Sequence, residues 1–438
     1  MITSRLLISL ALSAALGALA PSAASAEPSN PGDEARLATS VDRELLVRLA
    51  VQRSPALSAA RARAAAMRSM GAAESRLPAP EAELQVWQIP ASRPYAVGDA
   101  QMIMLGLRQP IPAPGSLSAR AEAKERAANV EETMVAERVR EIAGEVSHAL
   151  SDYTEAAEKQ RAHLAHRSVA ERVLAAARAR YASGGALDDV AQAEVEVARI
   201  EVDVEQQSAL IAVARARLNG LLLRASEAPL GLPAAGDAVT TVESDADLMV
   251  RAETHRPEVR SIRARTAVRE AEARVSDAEA SWPMLSIGAT WFAPTNQMPH
   301  NAYGVSVGAS LPWLWGRSKA EARASRAGAD ATREELREIV ARIRAEVAAD
   351  AASVRAAVRR YQVLRDRALP AGKRSWEAAA AGYESSRTNI LSLLAARKAL
   401  VELELDLVEA RAAIDHALVN LDQAVGAPVR RAPIPSQP

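Results

Sequence analysis

Residues 304–311 read GVSVGASL, a stretch in which apolar and small polar side chains alternate. Val305, Val307 and Ala309 fall on one side of an extended chain, and the glycines and serines fall on the other, because successive side chains of a β-strand point to opposite faces. The alternation therefore predicts a strand at residues 304–311 with one apolar face and one small, polar face.

Three further segments are candidate strands, at residues 83–89, 101–109 and 284–292. The segment 284–292 alternates in the same way, whereas the first two alternate less regularly. The chain is thus predicted to contain a small β part, made of two strands in each half.

Long helical segments dominate the rest of the sequence. No proline interrupts residues 116–181, and Pro370 is the only proline in residues 318–383, so each segment is predicted to form about 100 Å of helix. Each is followed by a return helix, at residues 188–223 and 390–425, and each half also opens with a shorter helix. If the shorter helices, residues 54–76 and 257–280, stack end to end on the return helices, together they match the long helices and can form the wall of a tube.

The two halves of the chain repeat one another. The prolines and tyrosines that recur 202 residues apart are Pro55 and Pro257, Pro110 and Pro312, and Tyr181 and Tyr383. The recurrence predicts a tandem duplication, with a first repeat at residues 27–228 and a second at residues 229–438.

The N-terminus has the pattern of a cleaved signal peptide. Arg5 is followed by the apolar residues 6–20 and by the small-residue site Ala24-Ser25-Ala26, so residues 1–26 are predicted to direct export and then to be removed. The chain has no cysteine, which excludes disulfides, thiolate metal ligands and a lipid-modified cysteine. We therefore expect an exported protein without a lipid anchor.

Composition excludes several classes of function. Lysine plus arginine and aspartate plus glutamate number 54 each, so there is no basic surplus for nucleic acid. No nucleophile elbow, phosphate-binding loop or helical zinc motif occurs, and we predict no enzyme, no cofactor and no metal site. His163 and His166 could face one metal ion, but a third ligand is lacking and a solvated helix face is expected instead. Met102 and Met104 are expected to fill space.

Aromatic residues concentrate around the four predicted strands. Such residues favour the two polar interfaces of a membrane barrel, although they can also cap a small sheet in a water-soluble protein. The eight residues predicted to lie at membrane interfaces are Trp87, Tyr95, Trp282, Trp291, Phe292, Tyr303, Trp313 and Trp315.

Four strands cannot enclose an aqueous lumen, and an open sheet edge is not tolerated in lipid. Several copies of the chain must therefore contribute strands to one barrel. Three copies would supply twelve strands.

The chain resembles the TolC-type outer-membrane efflux factor family over its mature length. The duplicated order carries most of the resemblance. Three short sequences add to it: Ser54-Pro55-Ala56-Leu57, Arg108-Gln109-Pro110-Ile111-Pro112 and Tyr181-Ala182-Ser183-Gly184.

The resemblance implies a mainly α fold with a small β part, assembled as a homotrimer. Antiparallel coiled-coil helices would form an α-barrel tunnel through the periplasm, continued by a shared 12-stranded β-barrel in the outer membrane. It also implies a passive exit duct that docks to a periplasmic adaptor and to an inner-membrane pump of RND or ABC type. The tip and aperture would lie at Tyr181, Gly184, Asp188, Asp189, Tyr383, Ser386 and Ser392.

One departure from the family concerns acidic residues at the aperture. Members often place them just beyond the second turn, where this chain has Ser392 and Ala395, whereas Asp188 and Asp189 lie beyond the first turn. Six carboxylates in a trimer would attract cations and repel one another. Alternatively, Asp188 is an N-cap and Asp189 complements the helix dipole.

Other functional readings remain at this stage. A periplasmic adaptor also combines a helical hairpin with strands, but it would carry one hairpin instead of two. A structural coiled-coil protein would leave the strands unexplained. The cargo of a duct could be drugs, heavy-metal ions or, as in type I secretion, proteins.

Overall fold

The computed structural model describes residues 31–233, 240–385 and 387–433. The predicted signal peptide, residues 1–26, lies outside the described residues and stays a prediction. Helices make up most of the described chain, with a small sheet, so the predicted fold class is confirmed.

The two halves share one order of helices and strands, except that α1 occurs in the first half alone and the second long helix is divided in two. In chain order the elements of the first half are α1 (Pro31–Thr39), β1 (Ser40–Val41), α2 (Arg43–Arg53), α3 (Pro55–Glu74), β2 (Glu81–Trp87), β3 (Met102–Ile111), α4 (Ser116–Ala182), α5 (Leu187–Leu221) and β4 (Leu232–Pro233). Those of the second half are β5 (Thr240–Val242), α6 (Asp245–His255), α7 (Pro257–Ser281), β6 (Met284–Ala293), β7 (Ala302–Ser310), α8 (Arg317–Val363), α9 (Leu369–Glu384), α10 (Ile390–Val425) and β8 (Arg431–Pro433).

Proline and glycine set the helix boundaries. Pro55 and Pro257 stand in the first turns of α3 and α7, where the missing N–H costs nothing. Gly115 and Gly316 precede α4 and α8 with φ angles of +80° and +72°, which a residue without Cβ adopts readily. These two equivalent glycines therefore allow the chain to turn between β3 and α4 and between β7 and α8.

Each long helix packs against two shorter ones. Helix α4 contacts both α3 and α5, and α8 contacts both α7 and α10, while contacts of α4 with α7 and α10 join the halves. Each long helix thus packs against one short helix and one return helix, as expected if the short helix and the return helix stack end to end along it. Separate apolar clusters hold the halves, one around Leu46 and Leu218 and another around Ile343 and Ile414.

The sequence reading missed several short elements. Helices α1, α2 and α6 were not predicted, nor were the two small sheets, in which β1 pairs with β4 in parallel and β5 pairs with β8 antiparallel. Helix α2 ends at Arg53 and α6 at His255, in each case just before a proline-led helix.

The second long helix contains one irregularity. Residues 318–383 were predicted to form one long helix, and the helical run extends from Arg317 to Glu384, with a π-helical segment, Leu364–Ala368, between α8 and α9. Pro370 stands in the first turn of α9. A π-helical turn contains one residue more than an α-helical turn permits, so the break marks a local excess of chain.

Within the described residues, no helix combines the length and hydrophobicity that a membrane-spanning helix needs.

Candidate functional site

The four long strands form one antiparallel sheet in the order β2-β3-β6-β7. Its register aligns Leu107 with Ala289 and Ala289 with Val305, so the same face of every strand is brought together. Apart from Gln109, the members of that face are apolar or aromatic: Ala82, Leu84, Val86, Ile103, Leu105, Leu107, Ile111, Leu285, Ile287, Ala289, Trp291, Ala293, Tyr303, Val305, Val307 and Ala309.

The opposite face is small and polar over β6 and β7, where glycine, serine and threonine predominate. The charged residues of the four strands, Glu81, Glu83 and Arg108, also lie on this face. Arg108 donates two hydrogen bonds to Glu81, with N–O distances of 2.7 and 3.1 Å. The sheet is therefore amphipathic across its thickness.

The apolar face is uncovered in a single chain. Val305 and Val307 are 81% and 74% exposed, although burying such side chains would stabilise each by roughly 1.5–3 kcal/mol. The edge strands β2 and β7 have no second strand partner among the described residues. Both the face and the edges thus require a surrounding that one copy in water does not provide.

The predicted interface aromatics surround this sheet. Trp291 lies on the apolar face, opposite Tyr303 on β7, and Phe292 lies on the polar face beside Met104. Seven of the eight predicted interface aromatics are more than a third exposed: Trp87, Tyr95, Trp282, Trp291, Tyr303, Trp313 and Trp315. Their position at membrane interfaces stays a prediction.

The turns predicted to form the tip lie next to each other. Gly184 connects α4 to α5 with φ +94°. In the second turn, the N–H groups of Arg387 and Thr388 donate to the Gly382 carbonyl at 2.8 and 3.2 Å. The apolar cluster shared by the two turns contains Ala177, Val190, Ala193, Tyr383, Ile390 and Leu393.

Tyr383 belongs to this cluster and is 6% exposed. The Arg180 guanidinium lies 4.6 Å from the centroid of its ring and donates a hydrogen bond to its carbonyl oxygen at 3.4 Å. The contact joins the first turn to the second. The Tyr383 hydroxyl is buried and has no hydrogen-bond partner among the described residues, whereas Tyr181 is 49% exposed.

The polar residues of the tip differ in their roles. In the first turn of α5, Asp188 is exposed and Asp189 is half-buried, and Gln192 Nε2 donates to Asp188 Oδ2 at 2.6 Å. Reading Asp188 as an N-cap is wrong, because Ala186 occupies that position without a side-chain cap.

The second turn is capped differently. Asn389 caps α10 and accepts from the N–H of Ser392 at 3.0 Å and from its hydroxyl at 2.9 Å. Ser386 lies outside the described residues.

The two histidines of α4 are buried, which contradicts the expected solvated face. His163 and His166 are 6% and 3% exposed. Arg397 of α10 donates to His166 Nδ1 at 2.5 Å, and Glu404 Oε2 lies 3.1 Å from His166 Nε2.

The environment of His166 favours its neutral form. Burial, followed by the Arg397 and His163 charges, lowers the pKa of His166 to about 4. Burial likewise lowers the pKa of His163. No group of three or more His, Asp or Glu side chains in the described part of the chain is placed to hold a metal ion. His166 therefore joins α4 to α10 as a neutral, buried side chain, whereas His163 faces Asp203 of α5, with its Nδ1 3.8 Å from Asp203 Oδ2.

Residues 248–427 match the family described as outer membrane efflux protein. Among solved structures, the chain is similar to the outer-membrane channel OprN, with a TM-score of 0.71, 21% identity, and coverage of 88% of this chain and 90% of that one. It is similar to the outer membrane protein VceC from Vibrio cholerae, with a TM-score of 0.71, 17% identity, and coverage of 88% and 96%.

A third similar structure is the open state of the outer membrane channel MtrE from Neisseria gonorrhoeae, with a TM-score of 0.72, 18% identity, and coverage of 88% and 89%. A search among curated proteins finds no sequence match. The resemblance inferred from the sequence is confirmed by the family match and by the shared fold.

Proposed function

We propose, from the match of residues 248–427 to the outer membrane efflux protein family, that the chain is a protomer of a passive outer-membrane exit duct. Substrates delivered by an inner-membrane pump and a periplasmic adaptor would pass through it to the exterior. The assembled chains would surround a channel, and we assign no catalytic residue, cofactor or metal to them.

The observation that carries this proposal is the sheet. It has one apolar face, one polar face and, within the part of the chain that the structure describes, two unpaired edges. In lipid, the apolar face is satisfied by acyl chains and the polar face by a water-filled lumen, provided that no edge is open. Three copies, joined edge to edge, give twelve strands and close the ring.

The same arrangement supports a location and an assembly for the chain. We propose a homotrimer in the bacterial outer membrane, in contact with its lipid, with the helices extending into the periplasm. Export by a cleaved signal peptide and the absence of a lipid anchor are part of the proposal. An adaptor protein would carry one helical hairpin, whereas this chain has a turn between α4 and α5 and another between α9 and α10.

We place the periplasmic tip at these two turns. Tyr181, Leu187 and Leu391 are 49%, 61% and 57% exposed there, which leaves apolar surface for an adaptor. Asp188 and Asp189, brought together three times in the trimer, would form the acidic ring at the aperture. The buried contact of Arg180 with Tyr383 would hold the turns of each protomer together.

Two variants test the membrane assignment, each of which places one positive charge on a different face of β7. Val307→Arg puts a cation in the hydrocarbon and should cost about 2–4 kcal/mol near the midplane, so little trimer should reach the membrane. Ser306→Arg, on the polar face, should assemble normally and conduct ions in planar bilayers with an altered conductance. Equal tolerance of both changes, or a water-soluble monomer without conductance, would contradict the proposal.

The aperture assignment is tested by ion selectivity. Replacing both carboxylates, Asp188→Asn with Asp189→Asn, should lower the cation-to-anion permeability ratio severalfold at low salt, where screening is weak. The control replaces the exposed pair midway along α8, Glu334→Gln with Glu335→Gln, and should have a smaller effect. If the permeability ratio of the Asp188→Asn, Asp189→Asn variant were unchanged, these two residues would not line the aperture.

A further inference from the structure

A cavity lies where the sheet meets the helices of the second half. Its volume is about 510 Å³, and its lining includes Asp277 and Ser281 of α7, Trp313 of the connection, and Lys319, Arg323 and Arg326 of α8. This size falls within the usual range for small-molecule sites. Trp313, which lines the cavity, is 41% exposed, and Trp315, two residues further along the chain, is 89% exposed.

The lining carries an uncompensated positive charge. Arg326 is paired with Asp277 at 2.7 Å, whereas Lys319 and Arg323 have no ion pair within the described residues. They stand four residues apart on one helix, where like charges repel each other. An anion between them would remove that repulsion and form charge-assisted hydrogen bonds.

The location indicates the kind of anion. Strand β7 has nine residues, about 30 Å when extended, and it ends at Ser310, three residues before Trp313. If the strands cross the hydrocarbon, the cavity lies at headgroup level, where tryptophan is favoured and lysine extends its charge toward the interface.

The first half lacks the same features. Counted from the glycines that precede each long helix, the positions of Lys319 and Arg323 correspond to Ser118 and Glu122. Glu122 accepts hydrogen bonds from Arg126 and Arg274 at 2.7 and 2.8 Å. Prolines stand where the second half has Trp313 and Trp315. The cationic cavity is thus specific to the second half.

We propose that this cavity binds the phosphate headgroup of an anionic phospholipid, one per protomer, in the leaflet next to the helices. Lys319 and Arg323 would bind the phosphate oxygens, and the tryptophan rings would lie against the glycerol and upper acyl region. The inference rests on the proposed membrane location. It adds a lipid site that the duct function itself does not require.

The test measures lipid bound to the detergent-purified full-length trimer by native mass spectrometry. Phosphatidylglycerol should bind at up to three per trimer, at least tenfold more tightly than phosphatidylcholine, and Lys319→Gln with Arg323→Gln should abolish that preference. The control Arg61→Gln with Arg63→Gln removes two exposed cations from α3 and should leave it intact. The charge-conserving exchange Lys319→Arg with Arg323→Lys should retain binding.

Several results would overturn the lipid site. These are equal binding of the two lipids by the unmodified protein, unchanged phosphatidylglycerol binding in the glutamine variant, and displacement of the lipid by millimolar inorganic phosphate. Dissociation of the glutamine variant into monomers would instead assign the two cations to a contact between copies. Conductance of the unmodified protein in planar bilayers, measured in parallel, separates failure of this site from failure of the duct itself.

Discussion

The two long helices share one role in the fold but differ in one turn. Helix α4 continues without a break for 67 residues, whereas its counterpart is divided into α8, a π-helical segment and α9. The glycines that start the two helices, Gly115 and Gly316, are 201 residues apart, but Tyr181 and Tyr383 at their ends are 202 apart. The second helix therefore holds one additional residue.

Burial locates the additional residue. In the middle of the helices, buried positions correspond at the shorter spacing, as for Ile142 with Ile343, Val146 with Val347 and Tyr153 with Val354. Near the tip they correspond at the longer spacing, because Leu174 and Trp376 occupy the same cluster. The change falls between these points and brackets Leu364–Ala368. A single inserted residue explains the π-helical turn, which absorbs it without rotating the tip.

Deleting one residue from each helix gives the largest expected difference. Removing Arg365 from the π-helical segment should leave a regular helix and a stable trimer. Removing Leu164, its counterpart in α4, rotates everything beyond it by about 100° and should cost more than about 4 kcal/mol, since His166 and Ala177 would leave the core. The measurement is the melting temperature of each deletion variant, determined for the trimer in detergent. Equal damage by both deletions would refute the insertion.

Acid should affect the first long helix selectively. Helix α4 contains His148, His163 and His166, with pKa values lowered by burial, whereas residues 317–384 contain no histidine. For His166 the pKa falls from 6.5 unfolded to about 4 folded, so its neutral form stabilises the fold above pH 6.5. That stability, about 3 kcal/mol, is lost as the pH falls towards 4.

The measurement is denaturant unfolding at pH 7 and at pH 4.5, compared between variants. His166→Gln, whose amide oxygen can still accept from Arg397, should lose less stability on acidification than the unmodified protein. The control His255→Gln removes an exposed imidazole and should behave like the unmodified protein. Burial raises the pKa of Asp350 and Asp415, so their contribution has the opposite sign, being lost as the pH rises, and cancels in the comparison. Identical acid responses of all three proteins would contradict the assignment.

The smallest expected effect concerns the helix starts at the tip. Asn389 caps α10 with its side chain, but Ala186 leaves α5 uncapped. Asn389→Ala should destabilise by about 1 kcal/mol, and Ala186→Asn should stabilise by a similar amount. Melting temperatures that move in the same direction would show that the two turns differ in some other way.

The sequence predicted the regular parts of the fold best. Proline and glycine placed the long and return helices within two residues of their observed ends, and alternation identified β6 and β7. The strands of the first half are displaced by up to two residues, since Glu81–Trp87 was expected at 83–89 and Met102–Ile111 at 101–109. Their alternation is irregular because charged residues share the polar face with methionines.

Features that depend on distant partners could not be predicted. His166 appears polar in sequence, yet Arg397, 231 residues away, accounts for its burial as a neutral acceptor. The connection of the two turns by Arg180 and Tyr383 spans 203 residues. The π-helical turn did leave a signal, which is the one-residue difference between the glycine and tyrosine spacings.

Covalent connection of β2 to β7 between copies tests the central claim most directly. The chain has no cysteine of its own, so Leu84→Cys can be combined with Val305→Cys or Val307→Cys on the same apolar face, where neighbouring edge strands would bring the Cβ atoms within disulfide range. We expect oxidation in membranes to give a covalent trimer that reverts to monomer on reduction, with single variants remaining monomeric. Absence of any linked species with both combinations would contradict the closed ring of strands.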